Sequence, residues 1–330
     1  MQYYFITMQL PSFESLKKEL PLSTTFVEEQ RQIVKNIFIK KDNRFVVIVG
    51  PCSIHNIDEA LLYAEKLKKL SSTLQNLFII MRFHIEKPRT AFNWKGFLYD
   101  PFLDGSEEII LGIKFARKAL IKIAHLGLPT AMEILDPFLM PYFNDLISWG
   151  LIGSRSTMCQ FYRQIAATLP FPIGFKNPPD GNIDAAIYAA MFARNKQKCV
   201  LLNDQAQLAS SLAKGNPLSH IVLRGSYKEP NFSSATKINF PMLIDCSHGN
   251  SQNIPSNQKN VLLASINFQK QNKMIMGVMI ESNINSGKQT ITKTLLPGIS
   301  ITDSCIGFEE TCDMLNVADS LLCQPLCQHQ

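Results

Sequence analysis

From Phe45 onward, apolar runs rich in β-branched residues alternate with segments whose apolar residues recur at helical spacing, and this alternation constrains the fold more than any other feature. The runs are Phe45–Gly50, Leu77–Phe83, Pro129–Leu135, Leu151–Ser154, Pro172–Phe175, His220–Leu223, Pro241–Ile244 and Met274–Ile280. Helical patterns follow most of them, over Ile57–Leu70, Glu107–His125, Pro137–Trp149, Met158–Leu169, Asn182–Ala193, Pro255–Gln271 and Phe308–Leu322, while the connection near Lys228–Lys237 is short. Strands that are apolar on both faces belong to a parallel sheet covered by helices. Eight of them, in a chain of 330 residues, predict an α/β fold, a (β/α)8 TIM barrel over 45–330. An open doubly wound sheet is the alternative.

Three regions depart from the rhythm. Residues 1–44 precede the first strand and contain Phe26, Ile33, Val34, Ile37 and Phe38 at helical spacing. This predicts an amphipathic helix over Thr25–Lys40 in an N-terminal extension, whose apolar stripe packs on the barrel or on a second subunit. Lys198–Asn216 predicts a small insertion before the sixth strand, a hairpin or a short helix. Ser282–Ser304, rich in Gly, Asn, Ser and Thr, predicts a long functional loop.

Composition narrows the function. The net charge is +6, with Lys and Arg spread along the chain, which is no nucleic-acid footprint. The eight cysteines include no Cys-x-x-Cys pair, which disfavours a zinc ribbon or a thioredoxin-type centre. The first Lys or Arg is Lys17, a poor start for a signal peptide. No apolar run approaches the ~20 residues of a membrane span. The expected setting is a reducing cytoplasm, with the cysteines as thiols.

A barrel forms its active site at the carboxyl ends of its strands. Those ends carry Cys52, Arg82, Glu133, Arg155, Lys176, Arg224, His248 and Glu281, and Asp303 lies in the loop after the last. Charges at strand ends are ordinary, because such ends meet solvent. These, however, sort into two chemical sets. Arg82, Lys87, Arg89, Arg155, Lys176 and Arg224 are cations suited to phosphorylated or carboxylated substrates. Cys52, His248, Glu281 and Asp303 mix a soft thiolate with imidazole and carboxylates, a set that suits a divalent transition metal acting as a Lewis acid. Singly, Cys52 reads equally well as a small core residue and His248 as a hydrogen-bonded core histidine. Lys176 also admits a Schiff-base role, though its arginine-rich surroundings favour charge pairing. Within Met81–Thr90, Pro88 stiffens the loop that presents Lys87 and Arg89.

Taken together, Val49–His55, Met81-Arg82 with Glu86-Lys-Pro-Arg-Thr90, Trp94–Gly96, Gly153–Arg155, Gly174–Asn177, Leu223–Gly225, Lys228–Asn231, Met242–Asp245 with Ser247-His248, Gly277–Ser282 and Ser300–Gly307 form an ordered set of motifs. In it the chain resembles the class I (alpha-type) 3-deoxy-D-arabino-heptulosonate 7-phosphate (DAHP) synthases, over roughly residues 9–322. The resemblance implies a metal-dependent aldol-like condensation of phosphoenolpyruvate with erythrose 4-phosphate, which opens the shikimate pathway. It implies one divalent ion (Mn, Fe, Co or Zn) on Cys52, His248, Glu281 and Asp303. It places phosphoenolpyruvate on Arg82, Lys87, Glu133, Arg155, Lys176 and Arg224, and erythrose 4-phosphate on Lys87, Pro88, Arg89 and Thr90. Lys87, Cys52 and His248 are the implied catalytic residues. A homodimer or homotetramer and an aromatic amino acid inhibitor, bound near the extension and 198–216, are implied partners.

The chain departs from the family at His84, where an aromatic Tyr is usual, and at Pro178-Pro179, where Gly-Thr is usual. Lys87-Pro-Arg-Thr90 argues against the related octulosonate-phosphate synthases, which carry Lys-Ala-Asn-Arg-Ser there. Retention of every expected ligand and cradle residue argues against an inactive barrel kept for binding. If the chain is extended at Asp303, Cys305 points to the same side. Oxidation of the metal-free chain is then expected to bring it to Cys52.

Overall fold

The computed structural model describes residues 8–89 and 91–323, so Thr90 and Cys327 lie outside the described residues. The strands are β1 (Phe45–Gly50), β2 (Leu77–Arg82), β3 (Thr130–Glu133), β4 (Trp149–Ile152), β5 (Ile173–Lys176), β6 (Gln197–Leu202), β7 (Leu208–Ala213), β8 (His220–Leu223), β9 (Met242–Asp245) and β10 (Ile275–Glu281). The helices are α1 (Phe13–Glu19), α2 (Phe26–Phe38), α3 (Ile57–Ser71), α4 (Ile109–Leu126), α5 (Gln160–Ala166), α6 (Ile183–Ala193), α7 (Gln258–Gln271) and α8 (Phe308–Cys323). Eight strands close in the order β1-β10-β9-β8-β5-β4-β3-β2, all pairing in parallel, which decides for the barrel over the open sheet. The insertion before the sixth barrel strand is the antiparallel hairpin β6–β7. Its turn is held by Asn203, whose Oδ1 accepts the amides of Gln205 and Gln207 at 3.1 and 2.9 Å. The short connection after β8 contains a 3-10 turn, Phe232–Thr236.

Side-chain alternation explains how the strands aim the site. Val46 and Ile48, Phe78 and Ile80, Ala131, Val222, Leu243 and Met279 share one core cluster inside the barrel. Successive strand side chains point to opposite faces. Two residues on from these inward positions, Arg82, Glu133, Arg224, Asp245 and Glu281 therefore top the interior at its carboxyl end.

The amino end of the barrel is sealed by the extension. Val34, Ile37 and Phe38 of α2 join the same interior cluster, so the stripe of this helix packs on the barrel. Each such buried side chain contributes roughly 1.5–3 kcal/mol of hydrophobic stabilisation. Below them Phe38 meets the His220 ring at 4.4 Å. Trp149 Nε1 donates to His220 Nε2 at 3.1 Å, leaving Nδ1–H for the Leu218 carbonyl at 2.9 Å. Burial pushes this imidazole down to about 3, so it packs as a neutral ring.

The sequence reading needs correction in one crossover. The helix predicted over Pro137–Trp149 does not form, and only a 3-10 turn, Met140–Tyr142, stands there. The fourth strand begins at Trp149, two residues before the predicted Leu151–Ser154, and Trp149 pairs with Ala131. Pro141 has no amide to donate to a helix. Carbonyls that a helix would have used accept from two arginines instead. Arg117 of α4 donates to the Tyr142 carbonyl at 2.8 Å, and Arg31 of α2 to those of Ile147, at 2.8 Å, and Asn144. Arg117 also forks onto Asp145, both bonds at 2.8 Å. Helix α1 was not foreseen either. Ser12 caps it, accepting the Ser15 amide at 3.2 Å, and Phe13 packs edge-on against Tyr142 at 4.6 Å.

Candidate active site

The strand-end residues converge on a cavity of about 350 Å³ at the carboxyl face of the barrel, lined by Arg82, Lys87, Pro88, Arg89, Glu133, Arg155, Lys176, Arg224, His248, Glu281 and Asp303 among others. Every site residue singled out in the sequence, apart from Thr90 and the fully buried Cys52, lines this space. Cys52 lies directly beneath, with its Sγ 2.9 Å from Lys87 Nζ.

The loop after β2 is doubled back on itself. The Lys87 amide donates to the Lys95 carbonyl at 2.9 Å, and Arg89 Nε to that of Trp94 at 2.8 Å. Gly96 permits the close approach, since a Cβ there would lie 2.4 Å from the Ile85 carbonyl. The basic loop is thus tied to the Trp-Lys-Gly motif that follows it. Gly153 leaves room for the Glu133 carboxylate, which a Cβ there would push aside at 2.1 Å.

The ligand-like set is close-knit. Atoms of Cys52, Glu281 and Asp303 lie within 4.8 Å of one another, a span that one ion can bridge. His248 Nε2 stands 3.9 Å from the Glu281 carboxylate, at the edge of the group. Asp245 takes His248 Nδ1 at 2.9 Å, which leaves Nε2 free to ligate. Cys52 donates to Asp303 at 3.2 Å, and burial followed by the charge of Glu281 pushes its thiol up to about 12. Burial raises the Asp303 carboxyl, but Lys87, the hydrogen bond from Cys52 and His248 together outweigh it and hold the group at about 2. Burial likewise opposes the charge on Lys87, and Cys52, Asp303 and Glu281 together overcome it, so its pKa is raised. A thiol, two carboxylates and an imidazole fit a divalent transition ion.

Among the cations, Arg82 is paired with Glu281 at 2.9 Å, Lys176 with Asp245 at 2.7 Å, and Lys87 with Asp303 at 3.6 Å. A carboxylate against Lys176 is the setting of a charge-pairing ammonium, not of a Schiff-base amine. Arg155, Arg224 and Arg89 have no carboxylate partner among the described residues. Arg82 Nη1 and Arg224 Nη1 are buried donors without an acceptor.

Sequence reasoning gave no role to Asp245, although its inward register on β9 marks it. Burial raises its carboxyl, but His248 and Lys176 hold it well below the carboxylate range. Gln258, whose side chain brackets Glu281 through its amide at 2.8 Å and its carbonyl at 2.9 Å, and the rim residue Lys288 were also missed. His84 is buried beneath Arg82. Its Nδ1 accepts from Arg82 Nη2 at 3.3 Å, and burial, then Arg82, keep it neutral.

A (β/α)8 barrel whose carboxyl face gathers arginines without carboxylate partners among the described residues, over a thiol, two carboxylates and an imidazole, has the parts of an enzyme for anionic substrates, with donors that fit a divalent metal. Comparison with known proteins makes this particular. The family model described as the DAHP synthetase I family matches residues 24–316, and the chain belongs to that family. It is 38% identical over 317 residues to the Tyr-sensitive phospho-2-dehydro-3-deoxyheptonate aldolase of Salmonella typhimurium, covering 90% of this chain and 89% of that protein. It is 40% identical over 324 residues to the tyrosine-inhibited enzyme of the same name from Schizosaccharomyces pombe, covering 91% and 87%. The solved phospho-2-dehydro-3-deoxyheptonate aldolase of Francisella tularensis superposes with a TM-score of 0.93 at 38% identity, covering 97% of this chain and 98% of that one.

Proposed function

We propose that this site condenses phosphoenolpyruvate with erythrose 4-phosphate and water to give DAHP and phosphate. The observation that carries the reading is the surplus of cations: Arg89, Arg155 and Arg224, which have no carboxylate partner among the described residues, converge beside the Cys52, Glu281 and Asp303 group. Arg82, Arg155, Lys176 and Arg224 bind the phosphate and carboxylate of phosphoenolpyruvate, the arginines by their planar forks. Glu133 closes the same wall. Arg89, with Pro88 and Thr90, takes the tetrose phosphate. Cys52, His248, Glu281 and Asp303 would hold the divalent ion, which when bound polarises the aldehyde carbonyl.

Electrons of the enol double bond then form the new bond from C3 to the aldehyde carbon. Lys87, an ammonium within reach of both substrates, supplies a proton to the aldehyde oxygen as it becomes a hydroxyl. Water adds at C2, and one of its protons restores the Lys87 ammonium. The C2–oxygen bond to phosphate then breaks as the C2 hydroxyl becomes the ketone, and its proton leaves with the phosphate. The acceptor is the four-carbon sugar, in keeping with Lys87-Pro-Arg-Thr90.

Tyrosine sensitivity is carried in the names of two relatives. An aromatic amino acid is proposed to inhibit this chain too. An apolar hollow of about 180 Å³ between the 137–144 crossover, α5 and β6, lined by Phe138, Met140, Phe161 and Leu201 among others, suits an aromatic ring. A homo-oligomer, with the extension at a subunit contact, completes the reading. Phosphate release tests the reaction: it is expected only with both substrates present, and to fall with one of Phe, Tyr or Trp. Release that ignores the tetrose would overturn the reaction, and indifference to all three amino acids would overturn the regulation.

A further inference from the structure

We infer that Asn177, Asn231 and Asn250 act as one positioning unit that sets Arg224 against Lys176. The inference rests on the reading of those two cations as the phosphoenolpyruvate cradle. Asn177 follows Lys176 at the end of β5, Asn231 lies in the short crossover after β8, and Asn250 lies two residues past His248. They come from three different loops and meet under the Arg224-Gly225 dipeptide.

All four backbone polar groups of that dipeptide are bonded to these three residues. The Arg224 amide donates to Asn177 Oδ1 at 2.9 Å. The Gly225 amide donates to Asn231 Oδ1 at 2.8 Å. The Gly225 carbonyl accepts from Asn177 Nδ2 at 3.1 Å, and the Arg224 carbonyl accepts the Asn250 amide at 3.2 Å.

The asparagines are also bonded to one another. Asn231 Nδ2 donates to Asn177 Oδ1 at 3.1 Å, and the Asn231 amide to Asn250 Oδ1 at 2.8 Å. Asn250 Nδ2 reaches the carbonyls of Leu223 and Asp245, both at 2.9 Å, tying the ends of β8 and β9 together. Asn177 is fully buried, and its second Nδ2 bond goes to Pro178 at 2.9 Å.

Two features separate this from ordinary loop packing. The side-chain amides of Asn177 and Asn250 each make four bonds, the full capacity of the group. The dipeptide also turns through a left-handed Gly225 at φ +78°, where a Cβ would meet the Asn250 amide at 2.6 Å. A chain pinned at every polar group cannot shift by the ångström that a misplaced phosphate cation would need. At Asn177 one side-chain amide answers both a donor and an acceptor of the dipeptide, its Oδ1 taking the Arg224 amide and its Nδ2 the Gly225 carbonyl, which a carboxylate of the same shape cannot do.

The test is steady-state kinetics on the metal-loaded full chain. Asn177→Asp keeps the volume and removes two donors, and Asn231→Asp does the same at a half-buried site if the first variant fails to fold. Each is expected to raise KM for phosphoenolpyruvate about tenfold, with KM for erythrose 4-phosphate unchanged. The double variant is expected to lose no more than the worse single one, because the residues act as a unit. A purely structural role would reduce the active fraction, lowering kcat with both KM values unchanged, and that result would overturn the inference. So would a double variant whose losses multiply. Arg224→Ala separates the two layers. If it leaves KM for phosphoenolpyruvate unmoved, the cradle reading itself fails. If it raises that KM while the asparagine variants do not, only the positioning unit fails.

Discussion

Cys52 shows how one residue depends on its surroundings. Fully buried and beside Glu281, its thiol is held neutral up to about pH 12, and only a strong neighbouring charge favours the thiolate that a metal needs. Cys52→Ala is expected to lose bound Mn(II) or Zn(II) on dialysis, together with metal-dependent activity, while its far-UV circular dichroism stays as in the parent. Full activity in the metal-stripped variant would sink the assignment. Glu86, one position before Lys87, gives a pH signature. Burial pushes its carboxyl up to about 8, against an ordinary 4.5. One oxygen has only the Asp136 amide, at 3.3 Å, and the other has no partner. The folded chain therefore holds this proton where the unfolded chain releases it. Stability from this group is intact below about pH 4.5 and is lost as pH rises toward about 8. Glu86→Gln is expected to raise the urea midpoint, with a gain that grows from pH 5 to pH 8. A gain independent of pH would refute the account. At this scale strand alternation made Arg82, Glu133, Arg224 and Glu281 legible in the sequence. His84 was not legible, because its neutrality depends on burial and then on Arg82, Lys176 and Lys87 gathering around it from two strand ends and a loop.

The crossover between β3 and β4 shows what periodicity misses in an element. Residues 137–149 have an apolar pattern that reads as a helix, yet their carbonyls are met by Arg31 and Arg117 from other helices. Neither arginine is marked in the sequence, since long-range side-chain bonds leave no local signal. The hairpin β6–β7 was legible only as an interruption, and α1 not at all, because its seven residues are fixed by packing on Tyr142 more than by propensity. Arg117 ties α4 to Asp145, to the Tyr142 carbonyl and, through Nε, to the Leu20 carbonyl at 2.9 Å. Arg117→Met is expected to cost about 2 kcal/mol, because it removes a buried arginine's bonds to two carbonyls while the half-buried Asp145 it leaves behind is still reached by water. Urea unfolding followed by circular dichroism reads this directly, and a change under about 0.5 kcal/mol, the range of ordinary surface substitutions, would show that the arginine does not hold the crossover.

For the whole molecule, the alternation of strand and helix was enough to predict the barrel, and the barrel in turn placed the chemistry at one end. What the alternation could not supply is the other end, where α2 seals the interior with Val34, Ile37 and Phe38 over His220. No helix among the described residues is long and apolar enough to cross a membrane. This cationic cavity joins two phosphorylated substrates by a carbon–carbon bond. Carbon NMR of the reaction tests it most directly, with phosphoenolpyruvate labelled at C3, erythrose 4-phosphate labelled at its aldehyde carbon, and the metal-loaded protein. The expected result is a product in which the two labels show one-bond coupling as inorganic phosphate appears. Phosphate released with pyruvate and no coupled carbons would contradict it.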